Sequence, residues 1–280
     1  MSANPLPASI YQFPAVIKPL SSVDSQGGWR IRIYSANGEF DAFSWMPSHT
    51  YEVLYGRVLT GLVTVGSLEP EGGHCVYAAL GFKYDDHMAL DAIVSPETCP
   101  IYGVAEQILG LIAQISSSAL RRFVEHALTL DGAFPHFWTC PASLRDHHAQ
   151  AGGLALHSLE VATMVASAAN LSTEMREIGV VMALLHDLGK VWAYEDGSET
   201  REAQVLGHER IAYNRLASAF AELLQEDESL GLTMQALLGG EWRNGARKKR
   251  LAIGSVVNAF DQMSCENART RRASRGADAQ

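Results

Sequence analysis

The first part of the chain alternates apolar and polar residues, which is the pattern of half-buried β-strands. Residues 29–34 alternate in this way, and an Asn-Gly pair at residues 37–38, typical of a hairpin turn, separates them from a returning strand over residues 40–45. Longer strands are predicted over residues 55–65, where two glycines indicate a bulge or barrel corner, and over residues 74–83. Short strands joined by tight turns predict a small barrel or sandwich, and we favour an OB-like barrel.

Beyond residue 103 the apolar residues recur at helical spacing. An amphipathic stretch covers residues 104–130, and the Gly152-Gly153 pair precedes a second helix. A third helix is expected to end at Gly189 with a left-handed backbone, and further helices are predicted over residues 208–224, 233–238 and 251–265. This part of the chain is therefore predicted to be all-α.

The two patterns together predict an α+β protein in which a small OB-like β-barrel precedes an all-α helical domain. Residues 1–25 are rich in proline and serine and are predicted to form an extended arm or linker. We assign the barrel to residues 26–100 and the helical domain to residues 101–267, and we expect residues 268–280 to be disordered.

Composition narrows the class of protein. The 280 residues suffice for two domains, and they contain neither a run of eighteen apolar residues nor a signal-peptide pattern at the start, so we expect no membrane partner. The net charge of −9 argues against bulk attraction to nucleic acid but leaves room for a local binding groove. The cysteines form no Cys-x-x-Cys motif and fit a reducing, cytoplasmic compartment; they are Cys75, Cys99, Cys140 and Cys265.

Seven of the ten histidines lie between His126 and His208, and imidazole is the commonest side-chain metal ligand. Two predicted helices joined by a short loop would bring His157 close to the adjacent pair His186-Asp187. Mixed imidazole and carboxylate donors favour Mn, Fe, Ni or Zn over Mg as the divalent metal cofactor. Asp261 lies among apolar neighbours on the last predicted helix, where a metal, a helix cap or an arginine would be a suitable partner.

In order along the chain, these residues resemble the H…HD…D signature of the HD superfamily of metal-dependent phosphohydrolases, and the segment Leu-His-Asp-Leu-Gly-Lys at 185–190 is similar to its usual form. The resemblance implies an all-helical HD-type domain that holds a divalent metal and hydrolyses phosphate esters. It also implies that Lys190 lies near the phosphate and that the metal ligands are His157, His186, Asp187 and Asp261.

Two subgroups are the most similar. The run from Pro141 to Val161, with its His-His, Gly-Gly-Leu and His elements, resembles the TraI_2 domain of MobH-type conjugative relaxases, as does Asp-Gln-Met-Ser at residues 261–264. A small barrel followed by this histidine pattern resembles YhaM-type 3′→5′ exoribonucleases. Both groups act on nucleic acid, so the resemblance implies single-stranded DNA or RNA as the partner.

The sequence departs from HD proteins that hold two metals, because these supply further histidines after the His-Asp pair. Here His208 is the only candidate ligand of a second metal, and residues 225–242 contain no histidine. A second ion would need help from Glu209 or His148. A site with a single metal is at least as well supported by the sequence.

The leading hypothesis is a metal-dependent phosphodiesterase, a nuclease that cuts single strands. In it, His147 or His148 binds the phosphate or protonates the leaving oxygen. The barrel grips the strand through Arg30, Arg32, Tyr34 and Arg57, with Phe43 and Trp45 as neighbours or as core residues. The alternatives are a relaxase-type nicking protein of a mobile element, a nucleotide phosphohydrolase and a non-catalytic single-strand-binding module. The sequence is compatible with a homo-oligomer but does not predict the number of subunits.

Overall fold

The computed structural model describes residues 8–22, 28–46, 58–68, 75–85, 88–240 and 251–277. The chain divides into two compact units, which we call the barrel unit (Met1–Thr98) and the helical unit (Cys99–Gln280). Within the described segments, no helix combines the length and the apolar character needed to cross a membrane.

The barrel unit is a closed five-stranded barrel, which confirms the OB-like barrel predicted from the sequence. Around the barrel the strands run in the order β1-β2-β3-β5-β4, and β4 pairs with β1 to close it. The β3–β5 pair is parallel and the others are antiparallel. The strands are β1 (Ala8–Ser22), β2 (Trp29–Ser35), β3 (Gly38–Ser44), β4 (Leu59–Leu68) and β5 (Val76–Tyr84).

The barrel core follows directly from the alternation in the sequence. On β2, Ile31 and Ile33 are fully buried in the core cluster. Arg30 precedes Ile31 on the same strand, points to the opposite face and is exposed. On β4, Val63 and Val65 point into the same core, and the pairing of β4 with β5 shifts by one residue next to Val65. This irregularity agrees with the bulge predicted for that strand.

The prediction of an extended arm over residues 1–25 is wrong for residues 8–22, which form β1. This strand pairs with β4 over Ala8–Ile17 and with β2 over Val16–Ser22, so barrel closure supplies it with a partner on each edge. Ala15 and Ile17 are buried in the core. The proline and serine content suggested a linker, but the apolar residues between the prolines supply the inward-facing positions of a strand.

In the part of the helical unit that the structure describes, α-helices are accompanied by one two-stranded hairpin. The hairpin consists of β6 (Tyr194–Glu195) and β7 (Ser198–Glu199). The helices are α1 (Val104–Ala113), α2 (Ser118–Leu128), α3 (His136–Thr139), α4 (Gly153–Ser167), α5 (Thr173–Leu185), α6 (Lys190–Ala193), α7 (Arg201–Leu206), α8 (His208–Arg215), α9 (Ala217–Glu226), α10 (Glu228–Leu238) and α11 (Ala252–Ala277).

Three helices form the centre of this unit. α4 packs against α5, and α11 packs against both. The predicted stretch 104–130 is divided into α1 and α2 because the Ser117 side chain accepts a hydrogen bond from the Leu120 amide and begins a new helix. The disordered tail predicted for residues 268–280 is wrong as far as Ala277, because α11 continues to that residue. The charged composition of the tail concealed a helix that extends one already packed on α4 and α5.

A buried carboxylate links α5 to the start of α2. Glu177, 9% exposed, accepts hydrogen bonds from the backbone amides of Ser116 and Ser117 at 2.8 and 3.1 Å and from the Ser116 hydroxyl at 2.5 Å. Burial alone would raise the pKa of Glu177, but these hydrogen bonds outweigh it and lower the pKa below the usual value. The charged form of Glu177 therefore stabilises the folded protein.

We expect Glu177→Gln to lower the free energy of unfolding by about 1–3 kcal/mol at pH 7, because an amide leaves at least one buried donor unpaired. The folded pKa lies below the unfolded one, so the carboxylate stabilises fully above about pH 5 and less as the pH falls through the folded pKa. Denaturant titrations at several pH values measure this difference. The exposed Glu195→Gln in the β6–β7 hairpin serves as the control, and an equal loss in both variants would contradict the assignment.

Candidate metal centre

Imidazoles and carboxylates from three separate elements converge at one point of the helical unit. His157 lies in α4, His186 and Asp187 follow the end of α5, and Asp261 lies in α11. His157 Nε2 is 3.1 Å from Asp261 Oδ1 and 3.6 Å from Asp187 Oδ2. His186 Nε2 is 3.7 Å from the same Asp261 oxygen and 3.5 Å from the same Asp187 oxygen. The convergence that the sequence predicted is therefore present.

The two imidazoles are held by their other nitrogens. His157 Nδ1 lies 3.0 Å from the Ser264 hydroxyl, and His186 Nδ1 lies 2.8 Å from the Ala183 carbonyl oxygen, to which it donates. Both Nε2 atoms are buried and make no hydrogen bond. Two buried nitrogens without hydrogen bonds, directed towards two carboxylates, form a donor set that fits a divalent metal of the Mn, Fe, Ni or Zn type.

The charges in the centre favour metal binding. Burial would raise the pKa of Asp187, but His186, His208 and Lys190 outweigh it and hold the pKa well below its usual range. The pKa of Asp261 is likewise held below its usual range, because the neighbouring imidazoles of His157 and His186 outweigh the effect of its burial. Burial lowers the pKa of His157 and keeps this imidazole neutral at pH 7, as a metal ligand must be.

Lys190 and His208 both contact Asp187. Lys190 Nζ, from the first residue of α6, lies 2.5 Å from Asp187 Oδ2, and His208 Nε2 lies 3.1 Å from Asp187 Oδ1. Burial would lower the pKa of Lys190, but Asp187 outweighs it and raises the pKa, so the amine stays charged. The structure thus places Lys190 on the Asp187 carboxylate, a candidate metal ligand, and the contact of Lys190 with phosphate stays a prediction.

A glycine allows His208 to approach this carboxylate. A Cβ on Gly189 would lie 1.9 Å from the backbone oxygen of His208, so only glycine lets the start of α8 pass so close. Gly189 has φ −60°, so the left-handed helix end predicted there is wrong and close packing is its role. Within the described residues, no group of three clustered donors contains His208, so the predicted second metal stays a prediction.

The His147-His148 loop lies beside the centre. A Cβ on Gly153 would lie 1.9 Å from the His148 backbone oxygen, so the glycine at the start of α4 permits the close approach of this loop. The His147 and His148 rings lie 5.7 and 5.6 Å from the His157 ring, measured between centroids. His148 has φ +49°, an unusual backbone for a residue other than glycine. Both predicted histidines therefore border the candidate metal site.

Cys265 contacts the centre without being a strong ligand. Its Sγ lies 3.1 Å from His147 Nε2 and 3.7 Å from Asp261 Oδ1, and together with His157 and Asp261 it forms a second group of clustered donors. Burial raises the pKa of the Cys265 thiol to about 12, and Asp261 adds to the effect. Since the thiolate is the form that binds metal, the imidazole and carboxylate set is the better candidate.

The comparisons with known proteins agree with this geometry. The HD domain family matches residues 154–249. This chain carries an HD domain. The matched segment contains His157, His186 and Asp187, whereas Asp261 lies beyond it and is brought to the centre by α11.

Curated relatives of the HD chain are named 3′-5′ exoribonuclease YhaM. The protein from Bacillus licheniformis is 25% identical over 215 residues, which cover 74% of this chain and 67% of the relative. The one from Bacillus subtilis is 24% identical over the same shares, and the one from Halalkalibacterium halodurans is 30% identical over 49% of this chain and 45% of its own. No solved structure matches the chain significantly. The HD domain and these relatives indicate a metal-dependent hydrolase; the resemblance to the TraI_2 domain stays a prediction.

A cleft opens next to the HD centre. It has a volume of about 650 Å³, and both histidines of the His147-His148 loop line it together with Arg145, Leu156 and Arg269. The Arg269 guanidinium forms an ion pair with Asp146 at the edge of the cleft. The cleft therefore combines imidazoles, guanidinium groups and an apolar wall beside the candidate metal site.

The structure supports some of the predicted strand-binding residues of the barrel and not others. Arg30 and Arg32 both form ion pairs with Asp41, and Arg30 stays exposed. Tyr34 is only 8% exposed, and its burial argues against the predicted contact with bases. Arg57 lies outside the described residues.

Two exposed aromatics of the barrel unit lie side by side near the end of β3. Phe43 is 38% and Trp45 is 59% exposed, and their rings stack with centroids 6.4 Å apart. The alternative that they are core residues is wrong, because the side chains of Ala42 and Ser44 occupy the buried face of that strand.

Sequence reasoning missed two residues behind the centre, Glu160 and Ser264. Ser264 was noticed only as part of a motif, and Glu160 carried no signal beyond its position three residues after His157. One helical turn places the Glu160 side chain on the same side of α4 as His157, which is the clue that could have found it.

We expect Asp261→Asn to weaken Mn²⁺ binding by at least about 100-fold, because a neutral amide replaces a carboxylate donor that two histidines face. Isothermal titration of the purified protein with Mn²⁺ measures the affinity. Asp196→Asn is the matched control, since this exposed residue of the β6–β7 turn has φ +48°, which asparagine tolerates. Unchanged Mn²⁺ affinity of Asp261→Asn would remove Asp261 from the ligand set.

Proposed function

We propose that this protein is a nuclease that hydrolyses single-stranded nucleic acid, with RNA as the preferred substrate, at the HD centre. The observation that carries the proposal is the convergence of His157, His186, Asp187 and Asp261 on one point. The proposed ion is a divalent metal of the Mn, Fe, Ni or Zn type. The preference for RNA and the 3′→5′ direction are suggested by the names of the relatives.

When bound, such an ion supplies Lewis acidity at the scissile phosphate and lowers the pKa of the attacking water. The side chains of the protein supply the charge and the orientation of the donors. Asp187 and Asp261 provide fixed negative charge, His157 and His186 are oriented through their Nδ1 atoms, and Lys190 keeps positive charge beside Asp187. These groups are fixed before substrate arrives, so little reorganisation is needed during the reaction.

The cleft beside the centre is the proposed place of the scissile nucleotide. His147 and His148 lie on its wall, within reach of a phosphate that enters the centre. Burial lowers the pKa of His147, so this imidazole is neutral at pH 7 until an anion binds. A phosphate bound next to it would favour protonation, and the protonated imidazole can then donate to the leaving oxygen.

The barrel unit is proposed to grip the single strand. Single strands bind OB-like barrels by stacking bases on exposed aromatics and by contacting phosphates with basic groups. Phe43 and Trp45 form a stacked, solvent-exposed aromatic pair, and Arg30 is exposed on the neighbouring strand. This arrangement replaces Tyr34 of the sequence hypothesis with Phe43 and Trp45.

We expect the purified protein with Mn²⁺ to shorten a labelled single-stranded RNA to a ladder of products. Asp187→Asn is expected to lower turnover by at least about 100-fold, because it neutralises the carboxylate on which the centre converges. Gel analysis of time courses with RNA, DNA and duplex substrates measures this, and Asp196→Asn is the control. Turnover retained by Asp187→Asn would refute the assignment of the centre.

The same assay separates the alternatives. A discrete nick in single-stranded DNA would favour a relaxase-type protein, and release of phosphate from mononucleotides would favour a nucleotide phosphohydrolase. Binding without turnover under all metals tested would indicate a non-catalytic module. Each of these outcomes would replace the proposed function.

We expect Trp45→Ala to weaken the binding of a single-stranded oligonucleotide by about 1–3 kcal/mol, because one base loses its stacking surface. Fluorescence anisotropy with the inactive Asp187→Asn protein measures binding without cleavage. Tyr11→Ala is the matched control, since Tyr11 is a 50% exposed aromatic on β1 of the same barrel. Equal losses in the two variants, or none in Trp45→Ala, would argue against this surface.

A further inference from the structure

A buried hydrogen-bonded chain lies behind the metal centre and links α4 to α11. The Ser264 hydroxyl donates to Glu160 Oε2 at 2.6 Å, and the same hydroxyl oxygen lies 3.0 Å from His157 Nδ1. Ser264 is 1% exposed and His157 is fully buried, so water does not compete for the contact between them, whereas the Glu160 side chain is 22% exposed.

The direction of these hydrogen bonds follows from counting protons. A serine hydroxyl has one proton, and here Glu160 receives it. Ser264 can therefore only accept at its contact with His157, which must carry its proton on Nδ1. Nε2 is then left with its lone pair directed at Asp187 and Asp261, which agrees with the absence of a hydrogen bond at that atom.

We propose that Glu160 and Ser264 are positioning residues that fix the tautomer and orientation of His157, so that the centre is ready to bind its metal. This inference rests on the metal site proposed above. Neither residue touches the proposed ion or the substrate. Their effect on the metal site acts through His157, in the way that hydrogen-bonded carboxylates commonly orient metal-binding histidines.

Glu160 also extends the chain to the cleft. The Oε2 atom that accepts from Ser264 lies 3.2 Å from His148 Nε2. One oxygen of Glu160 therefore lies next to both the Ser264 hydroxyl, which contacts His157, and the ring of His148 in the cleft wall. The contact offers a physical reason for the unusual backbone of His148, which presents its ring to Glu160 from the loop before α4.

The experiment compares four variants of the full chain. Ser264→Ala removes the hydroxyl, Glu160→Leu removes its acceptor, and Glu160→Gln keeps an amide oxygen that can accept from Ser264. Ser158→Ala is the matched control, because Ser158 is a fully buried serine next to His157 whose hydroxyl has no hydrogen-bond partner among the described residues. Thermal melting shows which variants are folded.

Two measurements test the proposal. In metal-free protein labelled with ¹⁵N-histidine, the His157 signal, assigned by its loss in His157→Gln, is expected to report the Nδ1-protonated tautomer in wild type, Ser158→Ala and Glu160→Gln. In Ser264→Ala and Glu160→Leu we expect a shift towards the Nε2-protonated tautomer, which can donate to Asp261. Titration with Mn²⁺ is expected to show a 10- to 100-fold loss of affinity in these two variants alone.

The outcomes separate this inference from the proposed function. If wild type binds no Mn²⁺, the proposed metal site fails, while the tautomer of His157 still tests the role of Ser264 directly. If folded Ser264→Ala keeps both the wild-type tautomer and the wild-type Mn²⁺ affinity, the inference is overturned. The same holds if Ser158→Ala changes the tautomer or loses as much affinity as Ser264→Ala. Should Ser264→Ala fail to fold, Glu160→Leu against Glu160→Gln gives the same comparison.

Discussion

The helical unit depends on one buried carboxylate, Asp187, and on the positive or polar groups that surround it. A carboxylate that is only 7% exposed is costly unless it is paired, and here Lys190, His208 and two further imidazoles face its oxygens. These partners come from four different elements, so stabilising the charge requires the helices to pack in this arrangement. Among the groups that compensate the burial of Asp187 are the imidazoles of the candidate metal centre. The need to pair this one buried charge therefore constrains both the packing of the helices and the geometry of the site.

Two glycines allow the backbone segments around the centre to approach closely enough for this packing. Gly153 and Gly189 lie at the starts of α4 and α6, and at each a Cβ would collide with the backbone oxygen of a histidine, His148 in the first case and His208 in the second. Each glycine thus sets the distance between a helix and a histidine-bearing segment. Helix propensity alone would disfavour glycine within a helix, as at Gly153, although glycine is well tolerated at an N-cap such as Gly189. The preference is overridden because the close approach of two backbones brings each imidazole to the centre.

The sequence predicted the barrel and the H…HD…D set because both rest on local pattern: alternation along β2 and β4, and an adjacent His-Asp pair at the end of an apolar helix. It failed where the deciding interaction is distant in sequence. The proline and serine content of residues 8–22 indicates an arm, and only the pairing of this segment with the distant β4 closes the barrel; the polar composition of the last turns of α11 likewise indicates disorder, although they continue a packed helix. Glu160 and Ser264 are separated by 104 positions, and only packing of α4 on α11 reveals that they form one hydrogen bond. The candidate metal ligands were thus easier to predict than the residues proposed to orient them.

The number of metal ions has consequences for the rest of the site. Asp187 directs one oxygen to His157, His186 and Lys190 and the other to His208, so both oxygens are engaged within the protein. Around His208, the described residues supply no further cluster of donors. With a single ion, the phosphate charge that a second ion would balance has to be balanced by side chains. That requirement gives a role to the cationic and imidazole groups that line the cleft beside the centre, namely Arg145, Arg269 and the His147-His148 pair. A centre with few histidines after the His-Asp pair therefore fits one metal ion, and the histidines and arginines of the cleft wall fit the need to balance the remaining phosphate charge.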